Sequence, residues 1–165
     1  MSKDKKATIH KHILKLSYDT TTLSQYEDYR VYRNSVILSP GEWTDCISRT
    51  PVVYTESELN KGATNWKENF LNIDHSLSVN DRIGYVMKAY GDKGVVKADL
   101  YINKKLQTGK DTIARIDCGL VNGVSAELIT NDIYDFEENK YMASDITFLG
   151  AAVVCIGACS DAKVR

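Results

Sequence analysis

Two β-rich runs, Arg82-Ile-Gly-Tyr-Val-Met-Lys88 and Gly94-Val-Val-Lys-Ala-Asp-Leu-Tyr-Ile102, are separated by the five residues Ala89-Tyr-Gly-Asp-Lys93. Branched and aromatic side chains favour a pleated, half-buried surface, and Gly91-Asp92 supplies turn chemistry between the runs. The spacing predicts a hairpin, so sheet is the skeleton on which the rest of the chain has to fold.

Other segments extend that sheet. Val31 to Ser39 (VYRNSVILS) reads as a strand stopped by the turn dipeptide Pro40-Gly41. Thr55 to Phe70 opens with the Thr55/Glu58 spacing of a capping box and carries Leu59, Ala63, Trp66 and Phe70 at helical intervals, which predicts an amphipathic helix with a break at Gly62. Leu71-Asn-Ile-Asp-His75 then alternates as a short strand with His75 at its end. Thr108 to Cys118 predicts a second helix, closed by Gly119. Val121 to Ile129 follows as a strand, Asp132 to Asn139 is polar and turn-like, and Tyr141 to Thr147 and Gly150 to Ile156 predict two last strands, with Gly150 bending the path between them. About seven strands and two helices result, an α+β chain that is mainly β and closest to a small barrel or sandwich decorated by helices.

At 165 residues, 43% hydrophobic and 26% charged, the chain is sized for one globular domain over 1–165, with 1–8 expected as a flexible N-terminus. The net charge of −1 provides no basic field for phosphate backbones or anionic lipid, and no apolar run reaches the length of a membrane span. Neither nucleic acid nor membrane is an expected partner. Cys155 and Cys159 have a metal-like spacing, but the other cysteines, Cys46 and Cys118, lie far away and no histidine stands near, so they read as small core residues.

Acyl-transfer chemistry needs a nucleophile, a neutral imidazole to take its proton, a group that fixes the imidazole tautomer, and donors for the oxyanion. The chain has three histidines; His10 and His12 sit in the basic N-terminal stretch, which leaves His75 as the candidate base. A histidine beside a strand more often serves as a structural hydrogen-bonding residue, and a serine after Gly-Val is common; each carries little alone. Ser125, in Val121-Asn-Gly-Val-Ser-Ala-Glu127, is the candidate nucleophile, with backbone donors around Asn122 and Gly123 or after Ser125. Arg115 reads as a solvated helix residue. Cys118 offers a Cys–His alternative, although a buried structural thiol is its commoner role.

The order Asp74-His75, Arg82-Ile-Gly-Tyr-Val86, Lys97-Ala-Asp-Leu-Tyr-Ile102, a helix, and Gly119-Leu-Val-Asn-Gly-Val-Ser-Ala-Glu127 resembles the prohead (capsid maturation) protease family of tailed phages. There the catalytic histidine follows an early helix, the next strand pair carries an Ile-Gly and a Lys/Ala-Asp-Leu-like run, and the serine lies on a strand preceded by glycine. The likeness runs from about Val36 to Lys163 and includes the closing Phe148-Leu-Gly-Ala-Ala-Val-Val154. Many members have a small residue and then glycine after the serine, where this chain has Ser125-Ala126-Glu127.

The resemblance implies a herpesvirus-assemblin type of fold, a β-barrel of about seven strands surrounded by helices. It implies a serine endopeptidase with Ser125 and His75 in catalysis and no metal or organic cofactor. The third member is expected on a strand after the serine. Asp145 is the first choice, a carboxylate in a stretch short of charge where it needs a partner, and Glu127 is the alternative because period-two alternation puts it on the face of Ser125. Asp74 reads as a turn residue. The implied substrates are the major capsid protein and the scaffold protein inside the immature phage head in the host bacterial cytoplasm, and self-association is a further expectation. The rival readings are a catalytically inactive capsid- or scaffold-associated protein of the same fold and an unrelated β-rich binding module.

Overall fold

A computed structural model describes residues 26–44, 49–155, 159 and 162–164, so the expected flexible segment 1–8 lies outside the described residues. The elements are β1 (Tyr29–Leu38), β2 (Gly41–Thr44), β3 (Pro51–Tyr54), α1 (Glu56–Gly62), β4 (Trp66–Ile73), β5 (Arg82–Asp92), β6 (Val95–Asn103), α2 (Gln107–Asp117), β7 (Gly123–Asp135) and β8 (Lys140–Val154). Eight strands form one mixed sheet in the order β1-β6-β5-β4-β8-β3-β2, and β7 runs antiparallel along β8. β3 and β4 join β8 in parallel, and the other pairings are antiparallel.

The sheet curls into an open half-barrel, which corrects the expectation of a closed seven-stranded barrel. β1 and β7 are joined through residues 162–164: Val36 N–H donates to the Lys163 carbonyl at 3.0 Å, Val124 N–H to Ala162 at 3.1 Å, and Val164 N–H to Asn122 at 2.9 Å. Inside the curl, Ile37, Leu59, Leu71, Ile83, Leu100, Ile102, Val124 and Phe148 are wholly buried. Each such side chain stabilises the fold by about 1.5–3 kcal/mol through removal from water.

Four sequence expectations need revision. The helix predicted over 55–70 is confined to Glu56–Gly62, although its cap is as expected, with Glu58 N–H donating to Thr55 Oγ1 at 3.3 Å. Gly62 packs so closely on Ile146 that a Cβ there would meet its side chain at 2.9 Å, and Trp66 stacks on Phe148 at 4.7 Å as β4 begins. Tertiary pairing with β8 overrides the helical spacing of Trp66 and Phe70. The β5–β6 hairpin forms, but Asp92 pairs with Val95 and the turn is Lys93-Gly94, both at positive φ, a requirement of the two-residue loops that match strand twist. The two last strands are one, β8, continuous through Gly150, and β7 runs on to Asp135 through the first half of the stretch expected to be a turn, which is confined to residues 136–139.

Among the described residues no helix is long and apolar enough to cross a membrane. The buried Asp99 of the Lys97-Ala-Asp-Leu run holds an irregularity in β1: its carboxylate accepts from Asn34 N–H at 3.0 Å and from Arg33 at 3.2 Å, and Asn34 has a φ of +53°.

Candidate active site

Strand register sets the site. Val124 and Ala126 pack toward the core, so Ser125 and Glu127 project from the opposite face of β7. Ser125 pairs with Ala152 on β8, and Ala152 pairs with Asn72 on β4, which puts Asn72, Ala152 and Ser125 in one row across three strands. The next row on that face is Phe70, Gly150 and Glu127.

His75 is delivered to these rows by a tight turn. Ser76 N–H donates to the Ile73 carbonyl at 2.9 Å, and the two central residues, Asp74 and His75, have φ of +48° and +57°, the signs of a type I′ turn. Asp74 N–H donates to Val153 on β8 at 3.1 Å, which fastens the turn to the sheet. Side chains other than glycine rarely adopt positive φ, although Asp, Asn and His do so more readily than most. Two in succession mark a backbone strained by the order of about 1–3 kcal/mol per residue.

The ring that this turn presents meets Glu127: His75 Nδ1 lies 3.1 Å from Glu127 Oε1. Asn72 Nδ2 donates to both oxygens of the same carboxylate, at 3.2 and 3.1 Å. The His75 side chain is 37% exposed and that of Glu127 21%, so the pair sits at a half-buried surface where its hydrogen bonds are only partly screened by water. In the neutral ring, donation from Nδ1 to the carboxylate leaves the lone pair on Nε2. Ser125 is partly buried on the same face, and among the described residues no hydrogen bond joins its Oγ to His75. Catalytic hydrogen bonds in ligand-free sites are often long and shorten only with substrate bound.

Asp145 is elsewhere. It lies seven residues along β8 from Ala152, roughly 23 Å at about 3.3 Å per residue. Its carboxylate accepts from Asn131 at 3.1 Å and Lys61 at 3.3 Å, and its N–H donates to Glu58 at 3.1 Å. The Asn131 hydrogen bond, followed by the Lys61 contact, holds its carboxyl below the usual range. Asp145 is thus an exposed carboxylate tied to α1 and the neighbouring strand, and the carboxylate brought to His75 is Glu127.

The other residues singled out from the sequence have structural duties. The Arg115 carbonyl accepts from Leu120 and Val121 N–H at 2.9 and 3.2 Å and so shapes the connection into β7. Cys118 is exposed rather than buried, with its thiol directed at the same carbonyl. Of the backbone just before Ser125, Val124 N–H is given to Ala162 and is no longer a free donor, and the Asn122 carbonyl accepts from Val164. Asn72 was not legible as a site residue; its only signal was a polar residue inside the alternating Leu71-Asn-Ile segment.

No protein-family model matches the chain, and no curated protein matches it in sequence. Among solved structures, the bacteriophage T4 capsid assembly protease gp21 is similar, with a TM-score of 0.50 over 77% of this chain and 96% of that one, at 10% identity. At that identity the likeness is one of fold: this chain has a curled, mainly β architecture like that of a phage capsid assembly protease.

Proposed function

We propose that the chain is a serine endopeptidase of the prohead maturation kind, a single protease domain over residues 1–165 with Ser125 as nucleophile, His75 as base and Glu127 as the group that orients the base. The observation that carries this reading is the Glu127–His75 contact at 3.1 Å, presented on the face of β7 that also bears Ser125. The fold shared with a capsid assembly protease supports it.

In this mechanism Glu127 accepts from Nδ1–H and leaves Nε2 to take the Ser125 proton as Oγ attacks the scissile carbonyl. The imidazolium that results is stabilised by the Glu127 charge and returns its proton to the leaving amine. Water, deprotonated by the same Nε2, then hydrolyses the acyl-enzyme. An extended peptide lying along the sheet face would present its carbonyl to Ser125. The substrates are the scaffold and major capsid proteins inside the immature head, in the host cytoplasm, and the chemistry needs no cofactor.

A fluorophosphonate ester tests the nucleophile directly. It should add covalently to the full chain at Ser125, as read by peptide mass spectrometry, and Ser125→Ala should abolish the adduct. An adduct that persists in Ser125→Ala would place the reactive nucleophile elsewhere and overturn the assignment of Ser125, and none in the parent chain would favour the catalytically inactive capsid-associated reading.

A further inference from the structure

Glu127 belongs to β7, yet its recorded partners, Asn72 and His75, come from β4 and the turn that follows it, with β8 lying between. A carboxylate can cross a neighbouring strand only where that strand has little side chain on the face being crossed. β8 meets this condition with Gly150 opposite Glu127 and the small Ala152 opposite Ser125. A Cβ on Gly150 would come within 3.3 Å of Glu127 Oε2, so the carboxylate lies over the space the glycine leaves.

Asn72 stands at the far side of this gap. It is 7% exposed, its Nδ2 spans both Glu127 oxygens, and its buried Oδ1 has no hydrogen-bond partner among the described residues. A buried unpaired acceptor disfavours folding, and an aliphatic residue in this strand position would avoid it. Among the described residues, the polar contacts of the amide all fall on Glu127. Its donor is neutral, so it aligns the carboxylate without cancelling the charge that His75 needs when it becomes imidazolium; a lysine or arginine here would compete with the histidine.

We propose that Asn72 is a positioning residue, which clamps both oxygens of Glu127 across the Gly150 gap and so fixes the carboxylate against His75 Nδ1. Its catalytic meaning rests on the protease reading above; the clamp itself does not. The ionisable groups beside this row are His75 and Asp74 in the turn, Arg82, which pairs with Asn72 on β5 and lies over the Phe70 ring, and Tyr85, which pairs with Phe70; Lys67 and Glu68 lie further back on β4, and the stretch of β8 from Phe148 to Val153 contributes none.

The test uses the full chain with Asn72→Ala and Asn72→Asp and two readouts: the rate of fluorophosphonate addition to Ser125 across pH, and the far-downfield imidazole N–H resonance of ¹⁵N-histidine-labelled protein. Asn72→Ala should slow addition by about tenfold or more, because a small misplacement near reacting groups costs that much, with a ratio to the parent that is flat in pH. The carboxyl introduced by Asn72→Asp can hold Glu127 only while the two share a proton, so its ratio should fall as pH rises. A merely structural role predicts the reverse, the isosteric change being the milder at every pH. The resonance should weaken in both variants. If Asn72→Ala does not fold, Asn72→Thr, with one hydroxyl donor, should give an intermediate rate. Parent-like rates and an unchanged resonance in the folded variants overturn the proposal. If the parent chain is not labelled at all, the protease reading fails, and the resonance alone decides: its loss supports the clamp and its persistence overturns it.

Discussion

Gly150→Ala perturbs the fold and the site through one methyl group. The added Cβ would lie 2.6 Å from the Phe70 carbonyl oxygen and 3.3 Å from Glu127 Oε2. The first contact is with backbone of the paired strand, which cannot swing aside, so β4 and β8 have to part locally. Overpacking of this kind costs about 1–3 kcal/mol. At about 2–4 °C per kcal/mol for a chain of this size, Tm should fall by roughly 2–12 °C in a circular-dichroism melt. The second contact displaces the carboxylate from His75, so the rate of fluorophosphonate addition to Ser125 should fall as well. Glu127→Ala separates the two effects, because it should lose the reactivity with a smaller change in Tm, and adding Gly150→Ala to it should lower Tm without slowing Ser125 much further. A Gly150→Ala chain that melts and reacts like the parent would refute both the close β4–β8 approach and the crossing of Glu127 over it.

Other variants address the roles assigned to single residues. Glu127→Ala should slow Ser125 addition by roughly two to four orders of magnitude, as loss of the histidine-orienting acid does in serine proteases, whereas Asp145→Ala should react at nearly the parent rate; the opposite ranking in a probe time course would return the third role to Asp145. Asp74→Val forces a β-branched residue to positive φ and should cost about 1–3 kcal/mol in a denaturant melt while slowing Ser125, and Asp74→Asn, which tolerates that region, should do neither. Burial first, and then the hydrogen bond to Asp117 at 2.8 Å, pushes the Tyr32 phenol from 10.0 up to about 12. A phenol whose pKa rises on folding contributes stability that is complete below pH 10 and is lost as pH climbs through 12. The Tm advantage of the parent over Tyr32→Phe should therefore shrink across that alkaline window and stay constant below it.

What the sequence revealed follows from how local each signal is. The strand pair of β5 and β6, the α1 cap at Thr55 and the α2 stop at Gly119 depend on near neighbours and were readable. The extent of α1 was not, because Leu59, Ala63, Trp66 and Phe70 satisfy a helical period while Trp66 and Phe70 are claimed by β8, a strand far away in the chain. Gly150 was misread for a related reason: glycine within a strand signals either a bend or a close approach, and only the pairing with Phe70 distinguishes them. Within the site, His75 stood out by scarcity and Glu127 by its period-two relation to Ser125. The Asn72 clamp depends on the registers of β4 and β7 against β8, which no short stretch of sequence encodes. Asp145 read as a carboxylate in need of a partner, but its side chain is exposed, and its hydrogen bonds go to Lys61 and Asn131 rather than to His75.

The central claim is that Ser125, served by His75, cuts proteins of the assembling head. The most direct measurement is co-expression of the chain with its cognate scaffold and major capsid proteins, with and without Ser125→Ala, followed by intact-mass and peptide mass spectrometry. New termini in those two proteins that vanish with Ser125→Ala are the predicted result. Uncut proteins beside the folded parent chain, or the same cuts beside Ser125→Ala, would contradict it.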